Sequence, residues 1–335
     1  METDLDNLYE QRFRAMGSEI VIWLEQEDAA TAEQLLQQAQ DIFNIAEARM
    51  TRFDEGSELS KLNRQPGRWV AVSRPLWQVL QEAWQLTIET EGLFDPTLLT
   101  AIEAVGYRQP FTEQWAWGAA DQPNGIPTSK GQWQQVKRDV SSHSIFLPEG
   151  VRIDLGGIGK GFTAQRVVDF LSQWGPCMVD AGGDIVAGDA PEGWPGWPVE
   201  IAKPWEIAEG EADAVAEVWL NNGALATSGV DYRWWLQAGK RKHHLIDPRT
   251  GTSADTDLLT ASVLSADGCR AEAWATALLV AGMQPAQQML QSQGIAAVLI
   301  DQFHKTVATP SMQRFLKAGT SVLHAVGEDG GKEEL

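Results

Sequence analysis

The sequence predicts an α+β fold, with mixed sheets and helices packed on them. Three observations lead there. Helical and extended patterns alternate, but without the regular strand–helix–strand spacing of a doubly wound sheet. No internal repeat is present, which excludes a solenoid or propeller. A mid-chain turn with four glycines, Asp154-Leu155-Gly156-Gly157-Ile158-Gly159-Lys160-Gly161-Phe162, joins an extended run to a helix.

The elements follow in order. Gln11 to Glu25 is extended and broken at Met16-Gly17-Ser18. Its Ile20, Ile22 and Leu24 alternate with Val21 and Trp23, so both strand faces are expected to be covered. Thr31 to Arg49 is an amphipathic helix with Leu35, Ala39, Ile42, Phe43 and Ala46 on one stripe. Phe53 to Asn63 is a polar loop passing into a short helix, and Ser73 with Pro75 starts a helix that runs to about Thr90 and ends at Gly92. Phe94-Asp95-Pro96-Thr97 is a turn. Tyr107 to Gln134, rich in Pro, Gly, Gln and Trp, is a long irregular connection of the variable-insertion kind. Val151-Arg152-Ile153 leads into the glycine turn, and Ala164, Val167, Val168 and Leu171 lead out at helical spacing.

Beyond it, Met178-Val179 runs into Asp180-Ala181-Gly182-Gly183-Asp184, and Pro191 to Pro204 is irregular. Val215–Leu220 and Tyr232–Leu236 are strands, Leu225 to Gly229 ends in a Ser-Gly turn, and His244 to Gly251 is a strand entering a turn. Thr260–Ser265 is a strand, Asp267 caps a helix over Gly268–Val280, Pro285 opens another helix, and Ile295–Ile300 is the last strand. One domain over residues 8–320 accounts for these elements, with two intertwined α+β subdomains as the alternative. Residues 325–335 are expected as a disordered acidic tail.

Composition narrows the function. Hydrophobic residues make up 43%, enough for a real core, and the net charge is −20, with a pI of about 4.6. Such acidity argues against nucleic acid or an anionic membrane as a general partner. No apolar run reaches membrane-spanning length. Met1 to Asn7 is acidic and lacks a signal pattern, so a cytoplasmic protein is the expectation. Cys177 and Cys269 show no metal spacing and are expected buried and reduced.

Three features carry chemistry. The glycine turn lets a ligand approach bare backbone at a helix N-terminus, and Lys160 adds positive charge, which together suit a phosphate or pyrophosphate. The structural alternative is a glycine-rich turn with a surface lysine. A Walker A loop is excluded, because Gly161 rather than Ser or Thr follows Lys160. A dinucleotide fingerprint is excluded by the spacing of Gly157, Gly159 and Gly161. Glu272 and Thr276, four apart on an otherwise apolar helix, share a face and offer hard oxygens to a cation such as Mg²⁺. The alternative there is a carboxylate favouring the helix dipole and a threonine bonded back into its own helix. His243-His244 precedes Asp247-Pro248-Arg249-Thr250-Gly251, and a histidine near a carboxylate can move protons near neutral pH; the alternative is a capped turn beside surface histidines.

Taken together, Met16-Gly17-Ser18, Leu93 to Thr97, Asp154 to Gly161, Asp180 to Asp184 with Thr227-Ser228-Gly229, and His244 to Gly251 with Glu272 and Thr276 occur in the order of one family. The chain resembles the ApbE family of flavin transferases from about Phe13 to Leu316. The stretches Asp154–Gly161 and His244–Gly251 are the most specific pieces. The resemblance implies a T-fold-like α+β architecture and a reaction in which FAD is the substrate. FMN passes to a threonine hydroxyl of an acceptor flavoprotein and AMP leaves. It implies Mg²⁺ on the Gly159 carbonyl, Glu272 and Thr276. It also implies FAD contacts near Met16, Phe53, Leu93, Phe94, Asp95, Gly156, Lys160, Phe162 and Ile246, and catalytic roles for His244, as the base, and Asp247.

Three positions depart from the pattern: Glu272 for Asp, Gly159 for Ala and Gln165 for Asp. They bear on metal affinity and rate more than on fold. Two other functions share the same residues: an FAD diphosphatase giving FMN and AMP, and a non-enzymatic FAD-binding protein. The chain has no Ser-Gly-Ala-Thr segment of its own, so modification in trans is expected.

Overall fold

A tight hairpin opens the fold in the structure, a computed structural model that describes residues 7–110, 130–204 and 214–317. Strands β1 (Leu8–Ala15) and β2 (Ser18–Glu25) pair in register from Leu8↔Glu25 to Ala15↔Ser18. The two residues between them, Met16 and Gly17, both have positive φ, 54° and 72°. A two-residue turn of that form matches the strand twist but prefers Asn or Gly. A methionine held there costs on the order of 1 kcal/mol and marks a constrained position.

Asp28 caps α1 (Ala29–Met50), accepting from Thr31 N, and α1 buries Leu35, Ala39, Phe43 and Ala46 as its periodicity requires. Ser57 caps α2 (Glu58–Asn63). β3 (Trp69–Ala71) follows, then α3 (Arg74–Glu89) with Pro75 in its first turn. Ser73, at the N-cap position of α3, instead donates its hydroxyl to Glu58 Oε2 at 2.6 Å. After α4 (Leu99–Ala104), β4 (Lys137–Asp139) and β5 (Ser144–Phe146) complete a small antiparallel sheet with β3. Residues 111–129 of the expected irregular connection, and the expected tail over 325–335, lie outside the described residues.

Val151-Arg152-Ile153 is not a strand. Only Arg152 bridges a neighbour, Leu98. The Asn63 side chain takes the place of a strand partner, donating to Ile153 O at 2.8 Å and accepting from Ile153 N at 2.7 Å. Next come α5 (Gly159–Leu171), β6 (Cys177–Ala181) and β7 (Ile185–Ala187). β8 (Trp197–Ala202) falls within the stretch expected to be irregular; Pro198 argues against a strand in sequence, but a two-stranded ribbon with β9 (Ala214–Leu220) tolerates it. β10 (Gly223–Gly229) is a full strand rather than the lead-in to a turn. β11 (Trp234–Gln237) and β12 (Lys240–His243) form one hairpin, β13 (Ile246–Asp247) and β14 (Thr252–Ser253) another. The chain ends with β15 (Leu258–Ser265), α6 (Gly268–Ala281), α7 (Met283–Gln293), β16 (Ala296–Asp301), β17 (Thr306–Ala308) and α8 (Pro310–Gln313). Asp267 caps α6 by accepting from Arg270 N at 2.9 Å, as expected.

The main sheet has eight strands in the order β1-β2-β6-β7-β10-β15-β16-β17, each neighbouring pair antiparallel. Its Ile20, Ile22, Val179, Val186 and Ala226 face α1 and α5. Ala261, Val263 and Leu299 pack with α6 and α7. On the other face Met178, Leu225, Val298 and Ile300 meet Trp197, Val199 and Val218 of the β8–β9 ribbon. A fourth core joins α2, α3 and the small sheet to the loop before α5. The α+β class read from the sequence is what these layers form. Both cysteines are buried and free, and among the described residues no helix is long and apolar enough to cross a membrane.

Helices α5 and α6 meet backbone to backbone. A Cβ on Gly161 would lie 2.3 Å from Gly268 O, and one on Gly268 would lie 2.6 Å from Gly161 O. Gly161→Ala or Gly268→Ala must therefore push the helices apart. Each is expected to lower stability by about 1–3 kcal/mol, seen as a lower urea midpoint; an unchanged midpoint would mean that the crossing is looser than the structure shows.

Candidate active site

The first turn of α5, the β6–β7 turn, the end of β10, the His244–Ile246 segment and α6 converge on one cavity of ≈ 700 Å³. That is within the range of small-molecule sites. Of the residues singled out from sequence, Met16, Phe53, Leu93, Phe94, Asp95, Gly156, Gly159, Lys160, His244, Ile246, Glu272 and Thr276 line it. Two do not. Phe162 is buried in the core of α3 and the loop before α5, because α5 turns that face inward. Asp247 caps its own turn, with Oδ1 accepting Arg249 N at 2.8 Å and Nε at 2.9 Å, and Oδ2 accepting Nη2 at 2.9 Å.

The glycine turn is less open than its sequence suggests. Gly156 N donates to Asp154 Oδ1 at 2.9 Å, Gly159 N to Leu155 O at 2.8 Å and Gly161 N to Glu272 Oε2 at 2.9 Å. These amides serve the fold, so anion recognition here rests on charge and on bare backbone elsewhere. Gly17 and Gly183, with φ of 72° and 91°, line the cavity, and a Cβ on either would meet nothing within 4 Å. Both are places where a ligand can approach closely.

Lys160 is the centre of charge. Its Nζ contacts Asp184 Oδ2 and lies 2.8 Å from Glu272 Oε1. Burial alone would lower the Lys160 pKa, but the two carboxylates outweigh it and hold the ammonium charged. Burial raises Glu272 above the ordinary carboxylate value, with Lys160 opposing. Two carboxylates share the one Lys160 ammonium in a buried cluster, and charges so placed are stable only when paired. Thr276 does not bond back into α6; its hydroxyl is 3.0 Å from that of Ser228 on β10. Gly159 O accepts the Thr163 hydroxyl at 2.7 Å, inside the first turn of α5. Gln165 lies on α5 away from the cavity lining, where Oε1 accepts Gly268 N at 3.3 Å.

Residues not singled out from sequence complete the wall. The Arg52 guanidinium stands 4.2 Å over the Phe53 ring and 4.6 Å over Tyr107, fixed by Asp154 Oδ2 at 2.8 Å from Nε. Ser228 and Asp184 were visible only as parts of motifs; the pairing of Asp184 with Lys160 had no local signal. Asp95 Oδ1 accepts Thr97 N at 2.7 Å and Oγ1 at 2.6 Å, yet burial still raises its pKa.

His244 is half-buried, and its Nδ1 is shut from solvent with no hydrogen-bond partner among the described residues. Burial, with Arg233 nearby, lowers its pKa well below the ordinary value. The imidazole is therefore neutral at pH 7, and a hydrogen bond to the Arg233 backbone holds its ring. Its neighbour His243 points away, with Nε2 3.0 Å from Ala254 O.

This is an α+β protein whose cavity pairs an aromatic, cation-backed wall with a buried lysine–dicarboxylate cluster and a neutral histidine. The ApbE family model matches residues 16–299, and the chain belongs to that family. It is 31% identical over 306 residues to an FAD:protein FMN transferase of Haemophilus influenzae, covering 86% of this chain and 84% of that protein. It is 28% identical over 320 residues to one of Klebsiella pneumoniae, covering 92% and 95%. The fold matches the ApbE protein of Thermotoga maritima with a TM-score of 0.81 at 24% identity, over 92% of this chain and 99% of that one. The flavin transferase ApbE of Vibrio cholerae matches with a TM-score of 0.75 at the same identity and coverage.

His243 generates a test of the burial around this segment. Burial lowers its pKa to about 4, against about 6.5 in an unfolded chain. Between those values the unfolded state binds more protons, so stability is full above pH 6.5 and is lost as pH falls toward 4. His243→Gln keeps a side-chain N–H for Ala254 O but cannot titrate. Urea melts at pH 7 and pH 5 are expected to show a loss on acidification about 2 kcal/mol smaller in this variant; equal losses would contradict a buried neutral His243.

Proposed function

We propose that the protein is an FAD:protein FMN transferase. It cleaves the pyrophosphate of FAD with Mg²⁺, attaches FMN to a threonine of an acceptor flavoprotein and releases AMP. The observation that carries this is the meeting of Glu272, Thr276 and Lys160 at the wall of a cavity that His244 also lines. Support comes from the relatives named FAD:protein FMN transferase, which match over 95% and 84% of their length.

The donor set fits a hard cation. Glu272 and Thr276 present oxygens from one face of α6 to the cavity. Gly157 brings the turn before α5 close: a Cβ there would lie 3.9 Å from Thr276 Oγ1. Glu272 and Thr276 would hold Mg²⁺ with the Gly159 carbonyl, which would share itself with Thr163. When bound, Mg²⁺ neutralises charge on the pyrophosphate.

The chain's own groups do the rest. Lys160 offers an ammonium to the phosphates. Phe53, Phe94 and Tyr107 supply apolar and aromatic surface for a flat ring system, with Arg52 behind Phe53 and Tyr107. His244, held neutral by partial burial and by Arg233 nearby, takes the proton from the threonine hydroxyl. As the threonine oxygen bonds to the FMN phosphorus, the bridging oxygen leaves with AMP. Such transfers depend on positioning and charge more than on covalent help from the protein. Asp247 holds the β13–β14 turn, and its role in catalysis reduces to keeping His244 and Ile246 in place.

His244→Ala is expected to leave FAD binding intact, by calorimetry, and to cut transfer about 10²–10⁴-fold. Wild-type turnover would move the base elsewhere. Glu272→Gln keeps shape but removes charge; transfer at low Mg²⁺ should largely disappear and partly recover as Mg²⁺ is raised. A variant that follows the wild-type Mg²⁺ curve would show that the metal is not held there.

A further inference from the structure

Both oxygens of Glu272 are committed within the protein. Lys160 Nζ lies 2.8 Å from Oε1, and Gly161 N donates to Oε2 at 2.9 Å. Glu272 is 4% exposed and Asp184 is 5% exposed. The ammonium thus stands on the oxygen that a divalent cation would take. Both cannot sit there: two positive charges at contact distance in a poorly screened site repel strongly. Nor can Lys160 simply leave, because an unpaired buried carboxylate is costly.

We propose that Lys160 is the resident counter-ion of Glu272, and that it yields Glu272 to the metal only when an anionic substrate gives the ammonium a new partner. Metal binding is thereby conditional on FAD. Three features of the cluster support this. Lys160 lines the cavity on a four-carbon stem with its side chain 16% exposed, so its head group can reach a ligand without moving α5. Asp184 contacts the same ammonium from the β6–β7 turn and keeps hold of it whichever anion takes the other side. The FAD pyrophosphate carries two negative charges, more than the one on Glu272. Before FAD enters, a metal must compete with an ammonium already in place; afterwards it meets a vacated carboxylate. By linkage, metal then strengthens FAD binding by the same factor. The identity of the anion rests on the transferase reading; the competition between Lys160 and metal does not.

The test uses Mn²⁺ as the probe and its electron paramagnetic resonance signal as the readout, on the full chain without acceptor. Wild type is expected to bind Mn²⁺ weakly alone and about tenfold or more tightly with FAD. Lys160→Met is expected to bind Mn²⁺ alone about tenfold more tightly than wild type and to gain less from FAD. Removing the lysine leaves two facing carboxylates, which could impair folding. The double variant Lys160→Met with Asp184→Asn removes one charge of each sign and so keeps the cluster's net charge. It should still bind Mn²⁺ more tightly than wild type, because Glu272 is vacant in it. Adding Glu272→Gln should abolish the gain. Mn²⁺ affinity in the double variant equal to or below wild type overturns the proposal. These measurements without FAD stand whether or not flavin transfer occurs, so failure of the transferase reading would show separately, as no flavin on an acceptor.

Discussion

The close crossing of α5 and α6 at Gly161 and Gly268 is the constraint on which the site depends. With no side chain on either residue, one helix N-terminus lies directly against the other. That contact lets Gly161 N reach Glu272 Oε2 and brings Lys160 within 2.8 Å of Oε1. Any bulk at the crossing would open the distance by more than a hydrogen bond tolerates. Glu272 is long enough to reach both Lys160 and Gly161 from α6.

Around that crossing, remote segments are fixed by side chains rather than by extended ladders. Asn63 holds Ile153, Asp154 holds Arg52, and Arg52 holds the rings of Phe53 and Tyr107. The hairpin turn places Met16 beside Gly159, its Cε 3.5 Å from where a Cβ would stand. Backbone strain at Met16, a charged lysine between two buried acids and a neutral buried histidine are all costs that a purely structural region would shed. Their concentration at one cavity is itself a mark of function. The large antiparallel sheet supplies the rigidity that holds them, buried on the helix side and on the ribbon side.

Much of this was legible in the chain. Local chemistry announced the Asp267 cap, the Ser73-Pro75 start of α3 and the break at Met16-Gly17. The i, i+4 spacing put Glu272 and Thr276 on one face, and the structure keeps them there. What was not legible is long-range. Lys160 and Asp184, like Asn63 and Ile153, meet only through the fold, and no periodicity encodes a partner of that kind. Phe162 and Asp247 show the opposite error: each lies in a motif that lines the cavity, but one side chain turns into the core and the other closes its own turn. β8 was hidden by Pro198, since a proline speaks against a strand until its ribbon is known.

The central claim is that this cavity turns FAD into FMN on a protein threonine. The most direct measurement is to incubate the protein with FAD, Mg²⁺ and an acceptor domain carrying a Ser-Gly-Ala-Thr segment. Flavin fluorescence on the denatured acceptor band is then followed together with AMP. The account predicts covalent flavin and AMP in equal amounts, both abolished by chelating the metal. Free FMN and AMP with an unlabelled acceptor, or FAD left unchanged, would contradict it.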